Sequence, residues 1–317
     1  MTRKSPSTLS RRQLLQASAL AGAGLAIGGR LHAVEPQASS LITKVVPASG
    51  ERLPALGIGT NAFRESNYAD VKAVLQRMAE LGGTVIDTAA AYGESEGVIG
   101  RALAELGLRE RMFISTKFNA AGKGWGPWDD VSGRDSFERS LQRLRTTRVD
   151  LLEVHRLQGL DTLMSVMQEY KQSGRIRYLG VTTFRNEEHG SMVEAMRRYP
   201  LDFIQIDYSL ANRNAAKEVF PLALERKAAV MVNVPLGGRR GSLISETAGR
   251  KLPDWATEID VTSWSQFFLK YVISHPAVTC VIPGTTQLRH LEDNQAAGRG
   301  RLPDAALRRR MEEYWDA

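Results

Sequence analysis

Cysteine is almost absent: Cys280 is the only one in 317 residues, so no intramolecular disulfide can form. Five scattered histidines and one thiol leave no zinc-ligand spacing, which excludes structural zinc modules and gives no reason to expect a metal. Long apolar runs are also lacking. The stretch from Leu14 to Gly29 is rich in Ala and Gly, with Gln13 and Gln16 at its mouth, and is too short and too polar for a permanent membrane span. Acidic residues are missing from the first 33 positions, where Arg3, Lys4, Arg11, Arg12 and Arg30 supply five of the seven net positive charges. About +2 remains on the rest, so the pI of 9.6 is mostly a property of this start and no nucleic-acid partner is expected. What is present is ordinary globular material, 24% charged and 43% hydrophobic, enough to bury a large core.

The acid-free start has three parts: a basic, hydroxyl-rich opening, the Ala/Gly run, and a small-residue exit at Leu31-His32-Ala33. That is the layout of a signal peptide. Ser10-Arg11-Arg12-Gln13-Leu14-Leu15 resembles the twin-arginine export signal, an address read by the machinery that carries folded proteins. Residues 1–33 are therefore expected to be a cleaved twin-arginine signal peptide, residues 34–41 a short linker, and 42–317 one folded domain delivered to the periplasm or otherwise exported.

From Leu56 onward, short apolar runs alternate with stretches of helical period. The runs are Leu56–Gly59, Thr84–Asp87, Met112–Lys117, Asp150–His155, Arg177–Thr182, Phe203–Asp207, Ala229–Val234 and Thr279–Ile282. Between them, Asp70–Leu81 carries Val71, Val74, Leu75 and Met78 on one face, and Phe137–Leu144 repeats the pattern. Eight such units predict a closed α/β (β/α)8 TIM barrel, a fold of about 250 residues. A doubly wound open sheet is the alternative, but no G-x-G-x-x-G follows the first strand. Ile42–Val46 and Arg52–Leu56 around Pro47-Ala48-Ser49-Gly50 read as an N-terminal β-hairpin plugging the barrel bottom. The longest gaps, Phe118–Ser132 and Leu236–Asp260, are expected to be active-site loops, with Phe63, Trp125 and Trp128 as an apolar rim.

Polar residues at the carboxyl ends of barrel strands face the site. Asp87, Lys117 and His155 close three successive runs, and Tyr92 follows Asp87 by five residues. A phenol titrates near pH 10, too high for proton exchange at neutrality, and a neighbouring ammonium lowers it. Lys117 is the expected neighbour, Asp87 the group that holds it charged, and His155 a donor that orients a carbonyl oxygen. The four make a proton donor for a developing alkoxide but supply no electrons, so the site needs a hydride source.

The stretch Gly83-Thr84-Val85-Ile86-Asp87-Thr88-Ala89-Ala90-Ala91-Tyr92-Gly93-Glu94-Ser95-Glu96, closing at Ile99-Gly100, resembles the signature of the aldo/keto reductase family, and the likeness extends over the chain after Ile42. The resemblance implies reduction of a small carbonyl substrate with NADPH, Tyr92 as general acid, and Asp87, Lys117 and His155 completing the tetrad. It further implies nicotinamide contacts from Thr182, Thr183 and Gln205, stacking by Tyr208, and a pyrophosphate segment at Leu236-Gly237. The adenosine-phosphate segment falls on Gly284 and Thr285 and on His290, Asp293 and Asn294. Thr183 stands where the family has asparagine, Gly284 where some members have lysine, and His290 where an arginine often grips the 2′-phosphate. Because a histidine holds a dianion less firmly than a guanidinium, NADH remains an alternative. The expected product is thus an exported, monomeric reductase. The competing readings are a non-catalytic nicotinamide-binding or sensing protein and a lyase using Lys117 as Schiff-base nucleophile.

Overall fold

A computed structural model describes residues 40–118, 130–157, 159–238 and 242–317. The proposed signal, Trp125, Trp128, Arg239 and Arg240 lie outside the described residues.

The chain enters through an antiparallel hairpin, β1 (Thr43–Val45) and β2 (Arg52–Pro54), in which Thr43 pairs Pro54. Gly50 makes the turn with φ +76°, a left-handed conformation that glycine adopts without penalty. Eight parallel strands follow: β3 (Ile58–Gly59), β4 (Val85–Asp87), β5 (Phe113–Phe118), β6 (Val149–His155), β7 (Ile176–Thr182), β8 (Phe203–Asp207), β9 (Ala229–Asn233) and β10 (Val278–Val281). Each pairs with its sequence neighbour, and parallel bridges Leu56 to Val281 and Gly59 to Gly284 close the ring. Closure sets the glycine: a Cβ on Gly59 would stand 2.9 Å from the Ile282 carbonyl oxygen. The eight runs read from sequence match these strands to within two residues at each end.

Helices cover the outside: α1 (Tyr68–Glu80), α2 (Ser95–Leu106), α3 (Asp130–Leu144), α4 (Leu160–Gln172), α5 (His189–Arg198), α6 (Val219–Arg226), the short α7 (Leu243–Glu246), α8 (Trp264–Ile273), α9 (Leu288–Ala297) and α10 (Ala305–Asp316). Along α1, Val71, Val74, Leu75 and Met78 are all buried, the face expected from their spacing. They join one core with the outward residues of the strands, such as Ile86, Ile114, Leu152, Val181, Ile204 and Val230. Phe63 belongs to that core at 0% exposure, so it is packing and not rim.

Inside the ring a second cluster holds Val85, Phe113, Leu151, Tyr178, Phe203, Ala229, Met231 and Cys280 together with Val46 and Leu53. The hairpin therefore seals one end of the barrel. Because side chains alternate along a strand, the same inward rows continue from these apolar residues into polar ones: Phe113, Ser115, Lys117 on β5 and Leu151, Glu153, His155 on β6. The barrel interior runs from oily at the hairpin to ionisable at the opposite mouth.

Candidate active site

Register decides which polar residues meet. Asp87 pairs with Ser115 across β4 and β5, Lys117 with Glu153 across β5 and β6, His155 with Thr182, and Thr182 with Gln205. Lys117 Nζ donates to Asp87 Oδ1 at 2.5 Å and to the Thr88 carbonyl at 2.9 Å. Gln205 Nε2 donates to the same Asp87 oxygen at 2.8 Å, while its Oε1 accepts from Thr182 Oγ1 at 2.8 Å. Tyr92 lies over this pair, its ring centre 5.6 Å from Lys117 Nζ, and meets His155 edge to face at 6.0 Å. The four residues picked from strand ends thus form one cluster.

Its electrostatics are those of a largely buried site. Burial disfavours the Lys117 cation, but Asp87, with Tyr92 and Glu153, outweighs that cost and holds the ammonium above its ordinary range. A lysine held charged and fixed by two acceptors is poorly placed to act as a Schiff-base nucleophile, which argues against the lyase alternative. Burial, then the Lys117 and Arg156 charges, drives His155 down to about 3, so the imidazole is neutral at any physiological pH. The Tyr92 phenol departs from expectation. Burial pushes it above its ordinary value; Lys117 pulls the other way and is outweighed. The ammonium is a brake on the rise, and its full effect belongs to the reacting state, where negative charge develops on the oxygen.

The nicotinamide positions divide. Thr182 and Gln205 are inside, bonded to each other and to Asp87. Thr183 is buried, its hydroxyl donating to Glu188. Tyr208 corrects the expectation of stacking: it is 1% exposed, packed on Phe220, Tyr271 and His275, with its hydroxyl bonded to Tyr271 and Arg308. Gln205 faces inward, and a residue three places on falls on the opposite side.

Two inward residues escaped the sequence reading. Glu153, fully buried, lies 3.7 Å from Lys117 Nζ. Asn233, at the end of β9, donates to the Thr183 carbonyl at 3.0 Å, and its buried Oδ1 has no hydrogen-bond partner among the described residues. Strand parity was the available signal for both: Glu153 is two places before His155, and Asn233 two after Met231.

The phosphate positions gather at the barrel closure. Gly237 takes φ +85°, and Thr285 Oγ1 caps Gln287 N at 3.1 Å. The α9 helix starts at Leu288 with no side-chain cap and exposes Arg289 and His290 in its first turn, a donor set that fits phosphate. Asp293 and Asn294 are already engaged with α8, through Ser263 and Gln266 and through Ser265 respectively. Gly284 is exposed beside Gly59, and Leu236, half-buried, accepts from Leu243 N. Together the orphaned Asn233 oxygen, which asks for an N–H, and the uncapped helix fit the carboxamide and phosphate ends of a nicotinamide nucleotide.

The buried Lys–Asp pair beside a phenol and an imidazole, at the mouth of a closed eight-stranded barrel, suits an oxidoreductase of the barrel class. The family model for the aldo/keto reductase family matches residues 55–312, and the chain belongs to that family. It is 29% identical over 277 residues to methylglyoxal reductase YeaE of Escherichia coli, covering 83% of this chain and 92% of that protein. It is 26% identical over 291 residues to the oxidoreductase YqkF of Bacillus subtilis, covering 81% and 89%. Among solved structures, an aldo/keto reductase of Klebsiella pneumoniae in complex with NADP and acetate superposes with a TM-score of 0.69 at 26% identity, covering 86% of this chain and 95% of that one.

Proposed function

We propose that this protein reduces small aldehydes or ketones to alcohols with NADPH, with Tyr92 as the proton donor. The observation that carries the reading is the contact chain Asp87–Lys117 beneath a phenol that shares its mouth with His155. Cofactor binding falls to Thr182, Thr183, Gln205 and Asn233 at the carboxamide, Leu236 and Gly237 at the pyrophosphate, and Gly284, Thr285 and His290 at the adenosine phosphate, with Asp293 and Asn294 shaping α9. When bound, the nucleotide supplies the hydride. Neutral His155 donates to the carbonyl oxygen and orients it, and Tyr92 gives its proton as charge develops there. Lys117 stabilises the phenolate left behind, and Asp87 keeps Lys117 in place.

The first test is consumption of NADPH and of NADH by purified protein against an aldehyde panel that includes methylglyoxal, the substrate in the name of the Escherichia coli relative. Turnover by wild type and its loss in Tyr92→Phe, with cofactor affinity kept, support the assignment; bound nucleotide without reduction of any carbonyl supports the sensing alternative. A clear NADPH preference is expected to rest on Arg289 with His290, and NADH used equally well would assign that helix end no role in the choice.

We further propose that residues 1–33 are a twin-arginine signal, cleaved after Ala33, and that 42–317 work as the exported domain. The acid-free basic start and the small-residue exit support this. Periplasmic recovery should depend on the twin-arginine translocase and fail for Arg11→Lys with Arg12→Lys. Cytoplasmic retention of the wild type would remove the export reading and leave the reductase reading untouched.

A further inference from the structure

Glu153 has no part in the proton relay, yet it occupies the interior beside it. Its side chain is 0% exposed. Oε2 lies 3.7 Å from Lys117 Nζ and 3.3 Å from Ser115 Oγ, and Oε1 has no hydrogen-bond partner among the described residues. One buried cation therefore faces two buried carboxyl groups. Asp87 takes the shorter contact, 2.5 Å, and a second donor from Gln205 at 2.8 Å. Glu153 has one hydroxyl, a longer contact to the cation that Asp87 already holds, and an orphaned oxygen, so an ionised Glu153 would be a poorly compensated buried charge, whereas a neutral acid would not. The groups facing it are Asp87 from β4, Ser115 and Lys117 from β5, His155 on its own strand and Tyr92 at the mouth; β7 offers only Gly180 in register. His155 is neutral, so Lys117 is the only nearby cation in that set.

We propose that Glu153 is a positioning residue that sets the alkaline limit of proton donation: as a neutral acid it leaves the Lys117 charge to Asp87 and Tyr92, and once ionised it draws that charge away from the phenol. The inference rests on the reductase reading above. Burial, opposed by Lys117 and reinforced by Asp87, pushes the Glu153 carboxyl up to about 8, within the range an enzyme meets. Ionisation there makes Tyr92 a weaker donor, because a nearby negative charge disfavours the phenolate. Glu153 keeps its own proton out of the reaction with substrate. Its influence passes through Lys117.

The test is the pH profile of kcat for carbonyl reduction by wild type, Glu153→Gln and Ser115→Ala. Glutamine keeps the volume and removes the acid. Wild type should lose activity near pH 8; in Glu153→Gln the fall should move up by about one pH unit or more, with kcat at neutral pH within about threefold of wild type. Ser115→Ala keeps the acid but removes a donor to its ionised form, so its fall should also move upward, by less. Infrared spectroscopy gives a readout free of turnover: wild type at pH 6.5 should show the carbonyl stretch of a buried carboxylic acid, absent in Glu153→Gln. An alkaline limb unchanged in Glu153→Gln, or no acid band in wild type, overturns the proposal in an enzyme that still works. Absence of turnover in wild type at every pH is instead the failure of the reductase reading, and this proposal falls with it.

Discussion

Lys117 concentrates the conflict between burial and charge, and the residues around it are explained by how they relieve that conflict. Asp87 neutralises it, Thr88 fills a second donor direction, and Glu153 adds a carboxyl that no further cation among the described residues balances. Removing Lys117 would strand Asp87 as an unpaired buried carboxylate. Lys117→Met should therefore cost roughly 3–5 kcal/mol of stability as well as turnover, measured by denaturant unfolding beside the assay. Asn233 makes a different demand. Its orphaned oxygen is expected to accept the carboxamide N–H, so Asn233→Ala should weaken nucleotide binding about tenfold, seen as a raised Kd with kcat changed less. Unchanged affinity would separate Asn233 from the cofactor. Tyr208 carries the lesson in the other direction. From sequence it was a strand-end ring beside Gln205, and only the count of three places from an inward residue sets it outside, against Tyr271 and Arg308.

Strands and hairpin were legible because their signals are local. Apolar runs bounded by turn residues gave all eight barrel strands, and Gly50 between two short runs gave the plug. The clustering of Asp87, Tyr92, Lys117 and His155 was legible for a similar reason, since each closes a run or follows one closely. For Glu153 and Asn233 strand parity gave only the inward side, because their partners depend on register with strands 30 or more residues away: Glu153 pairs Lys117, and Asn233 reaches Thr183. Phe63 was misplaced since a loop aromatic and a core aromatic look alike without the tertiary neighbours. The signature stretch was itself partly architectural. Glu96 accepts from Thr116 at 2.5 Å and pairs with Arg143 at 2.6 Å, tying α2 to β5 and α3. At this scale the hairpin is the element to test. Leu53 is buried among the inward residues, and Leu53→Ala should cost about 2–5 kcal/mol in urea unfolding while leaving kcat of the folded fraction near wild type. A loss of kcat with unchanged stability would mean the plug reaches the mouth.

For the whole molecule, His155, His275 and Glu153, each shifted by burial, give stability a defined pH course below pH 8. His155 and His275 are depressed by burial to about 3 and about 4 from 6.5, so the unfolded chain binds more protons below 6.5, and the stability they contribute is lost as pH falls toward those values. Glu153, raised to about 8 from 4.5, binds its proton more tightly in the native state and opposes them, its contribution being lost as pH rises toward 8. Between pH 6.5 and 4.5 two protons act against one, so stability should fall on acidification by at most about 1.4 kcal/mol per pH unit, less the solvent screening at partly buried His275. Above pH 6.5 Glu153 dominates, and stability should decline toward pH 8 by up to about 1.4 kcal/mol per pH unit, less near pH 8, where Lys270, depressed by burial to about 8, acts the other way. Urea midpoints across pH 5–8 check the course, and Glu153→Gln should steepen the acid side and flatten the alkaline side. The reaction itself is tested most directly by following hydride and proton together. With NADPH deuterated at the transferable position, wild type should deliver one deuterium to the carbonyl carbon of the product alcohol, seen by mass spectrometry, and Tyr92→Phe should bind the same nucleotide yet form no labelled alcohol. Labelled alcohol formed by Tyr92→Phe at the wild-type rate would contradict the assignment of the phenol as proton donor.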